Sequence, residues 1–363
     1  MKTHFAARVT LGFAAGFALS TLLLEAALWL LPTYNGVYAA DPDADWPVHH
    51  LVPNASYTYS TGWNFRNVRR GEINNMGYVA PFDYAPGSEA TVIFGDSYIE
   101  GLMNRYEDTL PAQLATSGGA DLAPLLNFGI SGSALPDYLG LGTLIRDRFR
   151  PTWIIVFIGD GDFVEGFDVR PGHFRWSPDD VASVELMPDQ LRSPLVKLVR
   201  RSALVRYLRA NLRLNTHGLF DSRPGTGDGP EMTFCPETHS ERTDVERAKS
   251  YVAELPLALG VPAGRVIFLR DSETQRQAIY APEAKRESAA CPPSRDDEAL
   301  ESLLREAQSV GIKVVDTVPL FRKHYEATGE RVDYSPTDWH WNATGHRLAA
   351  DALRDLMEPS PAR

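Results

Sequence analysis

The sequence predicts an α/β fold in which helices cover both faces of a central parallel sheet, joined to an N-terminal membrane helix. Two observations carry this expectation. Five short apolar runs rich in β-branched residues alternate with helix-like stretches, the texture of strands buried on both faces. Ahead of them, VTLGFAAGFALSTLLLEAALWLL, between Arg8 and Pro32, is about the length a helix needs to cross roughly 30 Å of hydrocarbon.

In chain order, residues 1–8 are expected as a cytoplasmic stub and 9–31 as the membrane helix. Lys2 and Arg8 precede it, while Asp41, Asp43 and Asp45 follow. The positive-inside bias therefore leaves the N-terminus in the cytoplasm and the body outside, which in a bacterium is the periplasmic face of the inner membrane. Glu25 lies within the apolar run, and Val37-Tyr38-Ala39 loosely resembles the pattern before a signal-peptidase cut. Cleavage stays open, although the run exceeds the usual apolar stretch of a signal peptide, which favours an uncleaved single-pass anchor. Residues 41–88, rich in Pro, Gly, Asn, Tyr and Trp, read as an irregular arm with short strands.

The main body is expected over 89–358. ATVIFGDS, from Ala90, is its first strand and ends in a polar turn. LAPLLNFG (122–129), TWIIVFIG (152–159), RVIFLRD (265–271) and GIKVVDT (311–317) supply the others. In a parallel sheet, functional residues gather where strands feed into loops at their carboxyl ends, and Ser97, Gly132, Asp160 and Asp162 all follow such ends. Residues 168–260 interrupt the alternation with Pro- and Gly-rich stretches and read as an insertion with some helix of its own. Inside it, SPLVKLVRRSALVRYLRANLRL sets Lys197, Arg200, Arg201, Arg206, Arg209 and Arg213 in a helical pattern without an acidic residue. That pattern fits either a solvated helix face or a helix lying against anionic lipid headgroups or an anionic polymer.

Composition narrows the chemistry. The 363 residues are 44% hydrophobic and 23% charged, enough for one large α/β domain. A net charge of −11 and the absence of any nucleic-acid motif argue against a nucleic-acid partner. Cys235 and Cys291 match no zinc spacing, so no metal or other cofactor is expected; outside the cytoplasm the two could pair. Asp160 and Asp162 begin like a calcium loop, but Val164 and Glu165 stand where such a loop needs an oxygen ligand and Gly.

The strongest local signal is Phe94-Gly95-Asp96-Ser97-Tyr98-Ile99-Glu100-Gly101, a strand ending in a tight turn that presents a serine at a helix start. A Gly-Asp-Ser tripeptide alone is an ordinary turn. A serine hydroxyl is a weak nucleophile until a base lies within hydrogen-bond reach. Among nine histidines the best placed is His340, in Pro336-Thr337-Asp338-Trp339-His340-Trp341-Asn342-Ala343-Thr344-Gly345-His346, a loop feeding the amphipathic RLAADALRDL. His340 can take the Ser97 proton while Asp338 fixes the imidazole tautomer. His346 is expected to face the last helix. Trp339 and Trp341 fit either sugar stacking or core packing.

Together these blocks resemble the SGNH/GDSL hydrolase superfamily over most of residues 60–355, and more narrowly its membrane-anchored bacterial members and the alginate O-acetyltransferase-like branch. The resemblance implies a flavodoxin-like three-layer α/β/α fold and acyl-ester chemistry on carbohydrate or lipid esters. Ser97 then corresponds to the nucleophile, with its backbone N–H in the oxyanion hole. Asn127-Phe128-Gly129-Ile130-Ser131-Gly132 resembles the second block and assigns a second donor to Gly132; Asp338 and His340 come from the last block. Two positions depart from the pattern. Thr337 stands where the superfamily commonly has its aspartate, the carboxylate falling two residues before His340, as in the alginate branch. Gly161, in Phe157-Ile158-Gly159-Asp160-Gly161-Asp162-Phe163, replaces the third-block Asn that would be a further oxyanion donor, and Asn127 or Asn104 is a candidate substitute. The leading expectation is a serine esterase or O-acyltransferase acting on a small ester of an envelope or exported carbohydrate. A membrane-tethered glycan-binding or assembly protein that has lost catalysis, and a lipid esterase, are the alternatives.

Overall fold

A computed structural model of the protein describes residues 2–117, 124–189, 191, 193–214, 242–280 and 295–357. Cys235 and Cys291, and any pairing of the two, lie outside the described residues. The elements run α1 (Lys2–Leu30), β1 (Ala55–Thr61), β2 (Arg66–Ile73), β3 (Glu89–Gly95), α2 (Ser97–Glu100), α3 (Leu110–Ser117), β4 (Leu125–Gly129), α4 (Leu135–Arg148), β5 (Arg150–Ile158), β6 (Phe174–Trp176) and β7 (Val184–Leu186). They continue with α5 (Pro194–Arg201), α6 (Ala203–Arg206), α7 (Arg242–Leu259), β8 (Val266–Arg270), α8 (Glu273–Tyr280), α9 (Arg295–Ser309), β9 (Lys313–Asp316), α10 (Thr317–Thr328) and α11 (Ala343–Met357). Two compact units result, one of Met1–Val37, Ser56–Arg70 and Leu191–Pro230, the other of Tyr38–Ala55, Gly71–Gln190 and Glu231–Arg363.

The larger unit is built on a five-stranded sheet of order β4-β3-β5-β8-β9 in which every neighbouring pair is parallel. Counted along the chain this is the 2-1-3-4-5 order of the flavodoxin-like class, as expected. The strands read as continuous apolar runs because both faces are covered. On one face Ile93, Ile155, Phe157, Ile267 and Leu269 pack with Leu110 and Leu114 of α3 and with Ala349 and Leu353 of α11. On the other, Phe94 stacks with Tyr138 of α4 and Phe268 meets Tyr251 of α7. Each fully buried side chain of this size contributes about 1.5–3 kcal/mol.

The four later runs form β4, β5, β8 and β9 with ends shifted by a few residues. Between β5 and β8, β6 and β7 pair antiparallel, and α7 packs on α4 and α9 as the crossover helix. Part of the 41–88 stretch is pinned to the edge strand β4: the Tyr84 hydroxyl accepts from Asn127 N and donates to Asn127 O.

In the smaller unit, Arg8–Leu30 of α1 is long and apolar enough to cross a membrane, a test that a signal sequence also passes. The basic stretch expected as one helical pattern is broken at Ser202, whose extended backbone ends α5. Its hydroxyl accepts from Val205 N and starts α6, which runs on into a π-helical turn at Tyr207–Asn211.

Candidate active site

Three strand ends and one late loop meet at the site. The chain changes direction after β3, between Gly95 and α2, where Asp96 caps the short helix by accepting from Tyr98 N at 2.8 Å. Both neighbouring glycines are sterically required. A Cβ on Gly95 would lie 2.2 Å from Ile99 Cγ1, and one on Gly129, at the end of β4, would lie 2.6 Å from Glu100 N. Without side chains, the two strand ends let α2 lie directly on the sheet, so Ser97 stands at the carboxyl edge. The sheet order reverses here, β4 lying on one side of β3 and β5 on the other, which opens a crevice at the strand ends.

His340 reaches Ser97 from the loop before α11. Its Nε2 is 2.8 Å from Ser97 Oγ, and its Nδ1 is 2.5 Å from Asp338 Oδ1, which also accepts from His340 N at 3.1 Å. Because Asp338 can only accept, it holds the proton on Nδ1 and leaves the Nε2 lone pair facing the serine. Burial works to lower the His340 pKa, but the hydrogen bond and charge of Asp338, with Asp96 and Glu273 behind it, outweigh burial and raise it above the ordinary histidine value. Desolvation pushes the Asp96 carboxyl up to about 6.

The His340 loop rests on a buried polar cluster. Arg276 is fully buried; its Nε donates to Asp271 at 3.0 Å, Nη1 to Asp333 at 2.7 Å and Nη2 to the Tyr98 hydroxyl at 2.8 Å. That hydroxyl lies 3.2 Å from the Trp339 carbonyl, and the Tyr98 ring packs against His340 with centroids 4.7 Å apart. Trp341 is core: fully buried, it packs on Phe157 and Phe321 and donates from Nε1 to Asp271. Trp339 is 44% exposed. His346 sits in α11, accepting from Leu110 N at Nδ1, and burial pushes its pKa down to about 3.

The residues considered for the oxyanion part ways. The N–H groups of Ser97 and Gly132 have no hydrogen-bond partner among the described residues, and Gly132 adopts a φ of +87°. Asn127 is fully engaged in structure, its amide donating to Val79 O and Ile99 O and its oxygen accepting from Gly129 N. Asn104 is likewise engaged, donating to Trp341 O and accepting from the Tyr334 hydroxyl. The Gly161 N–H donates to Asp296, at 2.7 Å. Beside the missing third-block side chain stands another group: a Cβ on Gly161 would meet Glu165 Oε1 at 3.1 Å. Glu165 and Asp168 each accept from Arg170 Nη2 at 2.8 Å, and Arg170 Nη1 donates to the Gly132 carbonyl.

Asp160 caps a helix and Asp162 closes the turn after β5. Asp160 accepts from the Ser272 hydroxyl and Thr274 N at the start of α8, and Asp162 from Gly159 N. Sequence reasoning passed over Tyr98, Arg276, Glu273, Glu165 and Arg170. Only Asp271, the polar residue closing the run RVIFLRD, carried a signal, that of a strand's carboxyl end.

The family model for GDSL-like Lipase/Acylhydrolase matches residues 91–353. A search of curated proteins found no match. Among solved structures, LAE5, an alpha/beta hydrolase enzyme from the metagenome of Lake Arreo, Spain, is 17% identical over 75% of this chain and 96% of its own, with a TM-score of 0.37. A catalytic mutant of Axe2, an acetylxylan esterase from Geobacillus stearothermophilus, is 13% identical over 77% and 98%, with a TM-score of 0.38. A two-domain esterase active on acetylated mannans is 13% identical over 76% of this chain and 53% of its own, with a TM-score of 0.36. With the family's pattern matched over more than half of its length, this chain belongs to the GDSL-like lipase/acylhydrolase family and is a serine esterase of the SGNH/GDSL type.

Proposed function

We propose that Ser97 is the nucleophile, His340 its general base and Asp338 the residue that orients and charges the imidazole. The observation that carries this is the continuous hydrogen-bonded chain from Ser97 Oγ through His340 to Asp338. As the Ser97 oxygen bonds to the ester carbon, its proton passes to His340 Nε2 and the carbonyl electrons move onto oxygen. The N–H groups of Ser97 and Gly132, both without a partner among the described residues, are the donors for that oxyanion. Collapse expels the alcohol, which takes the proton from His340, and leaves an acyl-enzyme. Water or a sugar hydroxyl then repeats the sequence in reverse, giving hydrolysis or acyl transfer.

The acyl group is small, an acetyl ester of an envelope or exported carbohydrate being the substrate class we favour. The exposed Trp339 beside His340 supports a sugar-facing rim. The helix Arg8–Leu30, basic before it and acidic after it, supports a single-pass anchor in a bacterial inner membrane with the esterase on the periplasmic side.

The test is hydrolysis of p-nitrophenyl acetate by the full-length protein in detergent, with fluorophosphonate labelling, compared with Ser97→Ala and His340→Ala. Loss of turnover and labelling in folded Ser97→Ala is expected. A folded wild-type protein that neither turns over nor labels would sink the assignment and favour the glycan-binding alternative.

A further inference from the structure

Glu25 is the one acidic residue of α1, and its carboxylate is fully engaged. It accepts from the Ser202 hydroxyl at 2.8 Å, from Ala203 N at 2.7 Å, from Leu204 N at 2.8 Å and from Trp29 Nε1 at 2.8 Å. The first free N–H groups of α6 are therefore capped by a side chain of α1. Arg206, 8% exposed, lies with its guanidinium 4.8 Å over the Trp29 ring. A second tie follows: Asn211 accepts from Tyr34 N and donates to Ser60 Oγ, which in turn donates to Pro32 O. The segment 202–211 is thus fastened along the end of α1 within one compact unit.

The depth of this fastening follows from helix geometry. From Val9 to Leu30, α1 is exposed at nearly every position, Phe13, Phe17, Leu19, Leu22 and Leu23 among them; Leu28, 3% exposed, is the buried exception. That stretch spans about 33 Å at 1.5 Å per residue, which matches a hydrocarbon layer of roughly 30 Å. Glu25 stands five residues, about 8 Å, from the outer end of that stretch. If α1 spans, Glu25 and the start of α6 lie near the outer boundary of the hydrocarbon, and α5, which immediately precedes α6, lies near it too.

α5 has the composition for that place. At about 100° per residue, Leu195, Leu198 and Val199 share one side while Lys197, Arg200 and Arg201 share the opposite one. Leu195 and Leu198 are 68% and 65% exposed. An apolar side bare to solvent and a purely basic opposite side match an interfacial helix lying between acyl chains and anionic headgroups.

We infer that Pro194–Arg206 is a second membrane element, in which α5 lies in the outer headgroup layer with Leu195 and Leu198 toward the acyl chains, clamped to the anchor by Glu25. The inference rests on the membrane-spanning reading of α1 proposed above. It also gives α1 a structural role in the mature protein, because removing it would uncap α6 and strip Arg206 of its Trp29 partner.

The test places a fluorescent amino acid, acridonylalanine, at Leu198 or at Leu22 in the full-length protein. Each labelled protein is reconstituted in vesicles of phosphatidylcholine and phosphatidylglycerol, with or without dibrominated phosphatidylcholine, and probed with aqueous iodide. Both labels are expected to be quenched by the brominated lipid and protected from iodide. A Leu22 label untouched by brominated lipid overturns the spanning reading itself. With Leu22 quenched, a Leu198 label open to iodide shows a solvated helix, and one protected from iodide yet blind to brominated lipid shows a protein partner; either result overturns the interfacial assignment alone.

Discussion

Replacing Asp338 by Asn removes a charge from the site while keeping its size, and the geometry sets how much activity should go with it. Asp338 Oδ1 accepts two bonds at once, from His340 Nδ1 at 2.5 Å and from His340 N at 3.1 Å. An Asn with its oxygen at that position keeps both; turned around, its NH₂ would face two donors. The oxygen-inward orientation therefore wins, and the imidazole keeps its proton on Nδ1 with Nε2 ready to receive the serine proton. What disappears is charge assistance: a hydrogen bond to a charged group is worth about 1.5–3 kcal/mol and a neutral one about half of that, so a loss of about 0.8–1.5 kcal/mol, about 4- to 12-fold in kcat, is expected. A change of pH dependence accompanies it. In the proposed mechanism the catalytic form of His340 is neutral, and its folded pKa is raised, so wild-type activity is expected to fall as pH drops through a value above the ordinary histidine pKa. With the carboxylate gone, the burial that opposes protonation prevails, and the acid limb of kcat/KM moves to lower pH. The assay is a pH series with p-nitrophenyl acetate on wild type, Asp338→Asn and Asp338→Ala, each checked by thermal melting. Asp338→Ala, which leaves both donors without an acceptor, should lose more than Asp338→Asn. A loss below threefold in Asp338→Asn, or an acid limb that stays in place, would refute the role assigned to the carboxylate; a loss near 10⁴ would refute the retained tautomer.

Two further outcomes follow from the oxyanion side. Arg170→Ala frees the Gly132 carbonyl from its guanidinium brace and should lower kcat about 10- to 100-fold with KM changed less than threefold, Arg170→Lys recovering part of it; a rise in KM alone would instead make Arg170 a substrate contact. Glu100 is buried and accepts from the Ser131 hydroxyl, and burial pushes its pKa up to about 7. The folded state therefore holds a proton that the unfolded chain, at an ordinary value of 4.5, has given up. Its contribution to stability is present below the unfolded value and lost as pH rises to about 7, so Glu100→Gln should gain on wild type across that window by about 1–3 kcal/mol. Urea denaturation at pH 4.5 and 8 reads the difference, and parallel pH curves for the two proteins would contradict it.

Much of the fold was legible because it follows from one-dimensional periodicity. The stretch WIIVFI within TWIIVFIG is apolar at every position, and a strand bounded by helices on both sides is the arrangement that buries all six. The late loop was legible for a different reason: Asp338 and His340 lie two residues apart, so their pairing is a local matter of loop geometry. The basic stretch was legible in composition but not in shape. Its break at Ser202 depends on a cap that includes Glu25, 177 residues earlier in the chain.

The residues behind the site left no such trace. Arg276 lies in a helix whose sequence, ETQRQAIY, resembles any solvated helix, yet three elements close over it and oblige its guanidinium to find Asp271, Asp333 and Tyr98. Asn127 and Asn104 carry the right chemistry for an oxyanion donor in sequence, and burial commits each to carbonyl groups instead. By itself the sequence determined the α/β class and the apolar N-terminal helix and pointed to Ser97, Asp338 and His340 as candidate catalytic residues, since hydrophobic period and short motifs act within a few residues. Only the tertiary structure decided that Ser97 and His340, 243 positions apart, stand 2.8 Å from each other, and which of the neighbouring polar groups remain free to act. Those outcomes depend on which buried donors and acceptors satisfy one another, a condition set by the packing of the whole chain.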